Sequence, residues 1–164
     1  MKSKYSTKEI VLTGLGIATV FVATMYIRIP NAIGGYFNLG DGFILLFSSF
    51  LSPLPAFLVG GIGSSLADLI GYPIYFVPTL IVKGLEAIIV SVLFKKFKEK
   101  AKVPAYLMGS IVMIVGYFIT KAILKGSVAV ALTGIPGNIF QAAAGFLIAF
   151  FAYPLVAKWL KVNK

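Results

Sequence analysis

The chain contains neither cysteine nor histidine, and only five of its 164 residues are acidic. The two missing residue types exclude disulfides, thiol chemistry and imidazole-ligated metal sites. So few acids leave no obvious carboxylate relay for protons. Also lacking are a Walker A phosphate loop and any nucleophile with a histidine base to activate it. Autonomous ATP-driven pumping and hydrolytic chemistry are therefore not expected, and the residues require no cofactor.

What the sequence has in abundance is apolar length. It is 59% hydrophobic and 12% charged, with a mean hydropathy of +0.98. Apolar runs recur from Ile10 to Lys158 with only short polar breaks. This pattern predicts an all-α integral membrane protein, a single domain over residues 1–164. The first apolar stretch lacks a small-residue cleavage pattern, so it is expected to persist as a span and not to be removed as a signal peptide.

The formal net charge is +10. Such a charge can mark a nucleic-acid partner, but the basic residues lie at the ends of apolar runs and no nucleic-acid motif accompanies them. Topology explains them better. Lys2, Lys4 and Lys8 precede the first run, Lys95, Lys96, Lys98, Lys100 and Lys102 fill one central loop, and Lys158, Lys161 and Lys164 close the chain. By the positive-inside rule these groups, and both termini, are expected on the cytoplasmic side.

Six transmembrane helices are predicted, at about residues 7–27, 41–52, 54–70, 77–94, 103–124 and 138–159. The second would reach only about 18 Å at 1.5 Å per residue, short of a ~30 Å hydrocarbon core. It must tilt, extend irregularly or be shielded. Gly60, Gly61, Gly63, Ser64, Ser65 and Ala67 predict close packing for the third. Glycine-bearing loops around 28–40, 71–76 and 125–137 are expected outside. No internal repeat is visible, so an inverted-repeat carrier is unsupported.

Lys83 and Glu86 lie three residues apart inside one apolar run. A charge at the centre of a membrane helix costs about 2.5–3.5 kcal/mol on insertion scales, so two on one helical face imply a polar interior. Two readings are open: an ion pair that only fixes packing, or a ligand contact from the outer half of the helix. Asp68, near Tyr72 and Tyr75, is either an interfacial carboxylate beside an aromatic belt or part of a small-molecule pocket. Asp41 in NLGDGF is expected to cap the second helix.

Asn138 and Gln141 share one face at the outer start of the last helix. Their amides suit a nitrogen heterocycle bearing a hydroxyl, or serve interhelical hydrogen bonding. Tyr117 and Lys121 share a face of the fifth helix, where Lys121 is free to snorkel outward. In the first helix Gly14 and Ala18, with Gly16 and Ala23 nearby, form a small-xxx-small pattern for close approach of another helix, in this chain or in another.

Three stretches, GYFNLGDGFILLFSSFLSP, GGIGSSLADLIGYPIYFVPTLIVKGLEA and GIPGNIFQAAAG, together resemble the substrate-binding S components of energy-coupling factor (ECF) vitamin transporters. The resemblance covers nearly the whole chain and points to the riboflavin-transporter-like branch, closest to hydroxymethylpyrimidine and pyridoxine types. It implies a multi-pass subunit of a prokaryotic plasma membrane that binds a vitamin on its outer side. It also implies partnership with a transmembrane coupling protein, the T component, and two cytoplasmic ATPases. Gly14 and Ala18 match the family's coupling-protein face, with Gly where Ala is more usual. Asp68, Tyr72, Lys83, Glu86, Asn138 and Gln141 fall where the family builds its ligand site. Riboflavin needs a large flat cavity; the polar set here favours a smaller ring. A riboflavin-specific S component, a membrane scaffold and a proton-coupled carrier acting alone are the competing readings.

Overall fold

A computed structural model describes residues 5–31 and 35–162. Helix α1 (Thr7–Tyr26) starts at Ser6, whose hydroxyl accepts the Glu9 amide at 3.2 Å and so caps the first turn. The chain then forms an antiparallel hairpin, β1 (Arg28–Asn31) with β2 (Gly35–Asn38), registered Arg28 against Asn38. The sequence reading expected only loop here. The Gly-Gly dipeptide at 34–35 was the hairpin signal available in the sequence.

Helix α2 (Gly40–Ser48) is shorter than expected, about 14 Å by helical rise. Leu39 is its N-cap residue, with no side-chain cap. The expected capping role of Asp41 is thus incorrect: Asp41 sits inside the first turn and points into the bundle, 1% exposed. A partner stronger than a backbone amide takes its carboxylate, as described below.

Ser52 and Pro53 start α3 (Pro53–Phe57), where a proline in the first turn forfeits no helical hydrogen bond. A π-helical turn, Leu58–Ile62, leads into α4 (Gly63–Gly71). Gly60 in that turn lies against the backbone of α5 (Phe76–Phe97): a Cβ there would stand 2.4 Å from the Lys83 carbonyl oxygen. The glycine-rich stretch therefore allows close packing, as its composition predicts.

Lys98, with φ of 56°, turns the chain from α5 through a short 3₁₀ segment into α6 (Lys102–Lys125). Gly126 ends α6 in the left-handed region, φ 62°, a common glycine C-cap. Within the expected outer loop lies a short helix, α7 (Val128–Leu132), capped by the Ser127 hydroxyl. Helix α8 (Ile135–Val162) begins three residues before the expected boundary.

Four helical stretches, Thr7–Tyr26, Pro53–Gly71, Pro73–Lys125 and Val128–Leu160, are long and apolar enough to cross a membrane. Their surfaces are those of a lipid-facing protein. Val11, Leu15 and Val22 on α1, Ile111 and Val115 on α6, and Phe151 and Leu155 on α8 are all exposed. The interior holds two apolar clusters, one around Leu45, Val90, Phe94, Tyr106 and Tyr153, the other around Val20, Ile44, Ala56 and Val59. Between these clusters and the outer loops the interior becomes polar.

Candidate functional site: a buried polar column

Helix α5 carries Thr79, Lys83 and Glu86 at i, i+4 and i+7, one face of a helix, and all three are at most 1% exposed. Lys83 Nζ donates to Glu86 Oε2 at 3.1 Å and to Asp41 Oδ1 on α2. The i,i+3 pair expected from the sequence is therefore present, with Asp41 as a second carboxylate. A buried ammonium without such partners would be prohibitively costly, which is why α2 is drawn against α5 at this level.

Gln141 on α8 completes this half of the column. Its Nε2 donates to Asp41 Oδ2 at 3.0 Å, and its Oε1 accepts the Asn38 amide at 3.1 Å. Asn38 Oδ1 in turn accepts the Gly40 amide at 2.8 Å, so the end of the hairpin is tied to the start of α2. Close approach of α8 requires glycine: a Cβ on Gly145 would meet the Asp41 Cβ at 2.8 Å.

One turn toward the N-terminal end of α5, Thr79 Oγ1 donates to Asp68 Oδ2 on α4 at 2.6 Å. That consumes the single hydroxyl proton of Thr79, so Tyr117 on α6 is the donor in the 2.9 Å contact between Tyr117 Oη and Thr79 Oγ1. Lys83 Nζ stands 5.4 Å from the Tyr117 ring centroid, within cation–π range, and joins the two halves.

Of the residues expected at a site, Lys83, Glu86 and Gln141 meet in one network, and Asp68 and Tyr117 join it through Thr79. Tyr75 is buried near Asp68, and its hydroxyl makes no hydrogen bond among the described residues. Tyr72 is half-buried, and its amide closes α4 on the Asp68 carbonyl. Asn138 is half-buried about one turn from Gln141 toward the N-terminal end of α8, with its amide bonded to the Gly134 carbonyl. Lys121 is 7% exposed, with its ammonium against Gly134 in the α7–α8 corner.

Gly14 and Ala18 are exposed on α1, and a Cβ added at Gly14 would meet nothing within 4 Å. Gly16 and Ala23 face inward instead. Sequence reasoning missed two members of the column. Asp41 was read as a cap, although an acid in an apolar segment needs a cation as much as Lys83 needs an acid. Thr79 drew no attention, although it lies one helical turn from Lys83 on the same face.

The column gathers carboxylate, amide, hydroxyl and ammonium groups buried from bulk water, without a base and nucleophile arranged for catalysis among the described residues. Among the described residues no group of three or more His, Cys, Asp or Glu side chains is disposed to hold a metal ion. Such an arrangement suits recognition of a small polar molecule.

Comparison with known proteins agrees with this architecture. The family model for the ECF-type riboflavin transporter S component matches residues 4–158. An uncharacterized protein in the gap 3′ region of Pyrococcus woesei is 38% identical over 131 residues, 79% of this chain and 88% of its own length. A UPF0397 protein of Leuconostoc citreum (strain KM20) is 35% identical over 69 residues, 42% of this chain and 37% of its own. A solved structure of the S component of a bacterial ECF transporter matches with a TM-score of 0.70 at 19% identity, covering 94% of this chain and 98% of that one.

Proposed function

The chain belongs to the ECF-type riboflavin transporter S-component family, and we propose that it captures a small nitrogen-heterocyclic vitamin at the buried column for import. Hydroxymethylpyrimidine and pyridoxine are the favoured ligands. The observation that carries this reading is the convergence of Asp41, Lys83, Glu86 and Gln141 from three helices in an otherwise apolar bundle. Charges held in a membrane interior are costly, and a binding role accounts for their retention.

In this reading the ligand enters beside the hairpin and the α7–α8 corner, with Asp68, Tyr72, Tyr75, Tyr117 and Asn138 lining the way in. The chain crosses a prokaryotic plasma membrane six times, α2 being the short crossing, with both termini in the cytoplasm. A transmembrane coupling protein and two cytoplasmic ATPases supply the work, and Gly14 with Ala18 forms the coupling protein's contact on α1. No chemical step falls to this chain.

Riboflavin is the second reading, favoured by the description of the matching family model. The scaffold reading draws on the same network, since Lys83 is already paired within the protein. A thermal-stability panel separates these readings. The purified chain is melted in detergent with pyridoxine, hydroxymethylpyrimidine, riboflavin, thiamine, pantothenate or folate. A ligand that binds only the folded state raises the melting temperature saturably, by an amount set by its concentration relative to Kd. A shift with hydroxymethylpyrimidine or pyridoxine supports the favoured reading, and one with riboflavin supports the second. No shift with any of the six, from folded protein, counts against a vitamin site.

A further inference from the structure

Resting on the reading of the column as the ligand site, we infer that its ligand is a donor-bearing base, a heterocycle with an exocyclic amine or a protonated nitrogen, recognised by the Asp41–Glu86 carboxylates. Anionic vitamins are excluded by the same groups.

The inference starts from an imbalance between acceptors and donors. Asp41 and Glu86 share the ammonium of Lys83. Both Asp41 oxygens are occupied, one by Lys83 and one by Gln141. Glu86 has one oxygen on Lys83, and the other, Oε1, has no hydrogen-bond partner among the described residues although Glu86 is 0% exposed. A buried carboxylate oxygen without a donor is costly, and an N–H or O–H group would satisfy it.

Lys83 leaves little for an anion. It donates to two carboxylates and faces the Tyr117 ring, so a carboxylate or phosphate ligand would find only its third N–H and would add negative charge beside two acids. Lys121, the other buried lysine, lies against Gly134, three helical turns along α6 from Gly109, the glycine that packs on Glu86. An amine carries the charge sign that the column lacks.

A second, separate orphan lies at the outer end of the column. Tyr75 Oη is buried and has no partner among the described residues. Tyr75, Thr79, Lys83 and Glu86 follow one another along the chain at helical spacing, so the polar groups run from Tyr75 inward to Glu86. A phenol donates or accepts, which fits the hydroxyl of a heterocyclic alcohol.

The test uses two nearly isosteric ligands on the wild-type chain: 4-amino-5-hydroxymethyl-2-methylpyrimidine and its analogue with a 4-methyl group in place of the amine. Isothermal titration in detergent is expected to give the amine a Kd at least about a hundredfold lower, as befits a buried polar site whose partner is lost. Glu86→Gln, checked for a cooperative melt, should reduce that ratio to below about tenfold, since an amide oxygen accepts but carries no charge.

Equal affinity for the two pyrimidines overturns the inference, as does a ratio unchanged in Glu86→Gln. Binding of riboflavin, pantothenate or folate in place of the amine also overturns it, while the vitamin-site reading stands. Failure of every ligand to bind folded protein removes that reading and the inference together.

Discussion

The ammonium of Lys83 on α5 is in direct contact with the carboxylate of Asp41 on α2, 42 residues earlier in the chain. Asp41 lies in the first turn of a helix too short to cross a membrane unaided, and Lys83 fixes that turn against α5. One contact therefore does two things: it neutralises charge in the interior and seats the start of α2 beneath the hairpin.

Lys83→Met alone is expected to destabilise the protein by about 3–5 kcal/mol, because it leaves two buried carboxylates without their cation. Unfolding in detergent followed by circular dichroism measures this directly. Loss of less than about 1 kcal/mol would mean that the acids are satisfied without Lys83.

Thr79→Val keeps the side-chain shape but removes the proton given to Asp68 and the oxygen that accepts from Tyr117. The cost should be about 1–3 kcal/mol, the penalty for leaving buried polar groups unmatched. Tyr117→Phe should cost less, since only Thr79 then loses a partner that is not its own acceptor. Comparing the two melting curves tests the donor order assigned here.

Gly60→Val is expected to lower stability by about 1–3 kcal/mol, the usual range for overpacking. Its first added carbon would stand 2.4 Å from the Lys83 carbonyl, a backbone atom that moves only with α5. Ligand affinity should fall in parallel as Lys83 shifts. Gly14→Ala, where open space surrounds the new methyl, serves as the control and should leave both properties unchanged.

Gly14→Leu and Ala18→Leu test the separation of binding from coupling. Both positions are exposed on α1, remote from the column in the contacts they make. Ligand affinity and melting temperature should match wild type, while uptake by cells co-expressing the coupling protein and ATPases is lost. Uptake at the wild-type rate would place the coupling contact elsewhere.

Much of the membrane architecture was legible because lipid demands long apolar helices and leaves charges few places to stand. Lys83 and Glu86 stood out for that reason, and their pairing follows from helical spacing, whereas Gln141 was legible only as an amide sharing a face with Asn138 and meets them through the packing of α8. Asp41 did not, because an acid after Leu-Gly reads locally as a cap, and only tertiary contact shows that an ammonium from α5 outcompetes the backbone amides. The hairpin and α7 were also missed, since each is short and its residues lie between stronger hydropathy signals. The π-turn at Leu58–Ile62 has no periodic signature that distinguishes it from the helix around it.

The most direct test of the central claim is ligand binding by a column without its ion triad, Asp41→Asn with Lys83→Met and Glu86→Leu, set beside wild type by isothermal titration against the vitamin panel. Replacing all members of a buried ionic group by neutral residues is often neutral or stabilising, so this variant should melt cooperatively within a few degrees of wild type. The account predicts that wild type binds one vitamin and that the variant has lost at least about a hundredfold in affinity, a difference of roughly 2.7 kcal/mol. A folded variant that binds the same vitamin as tightly as wild type would contradict it, and would reduce Asp41, Lys83 and Glu86 to a lock between helices.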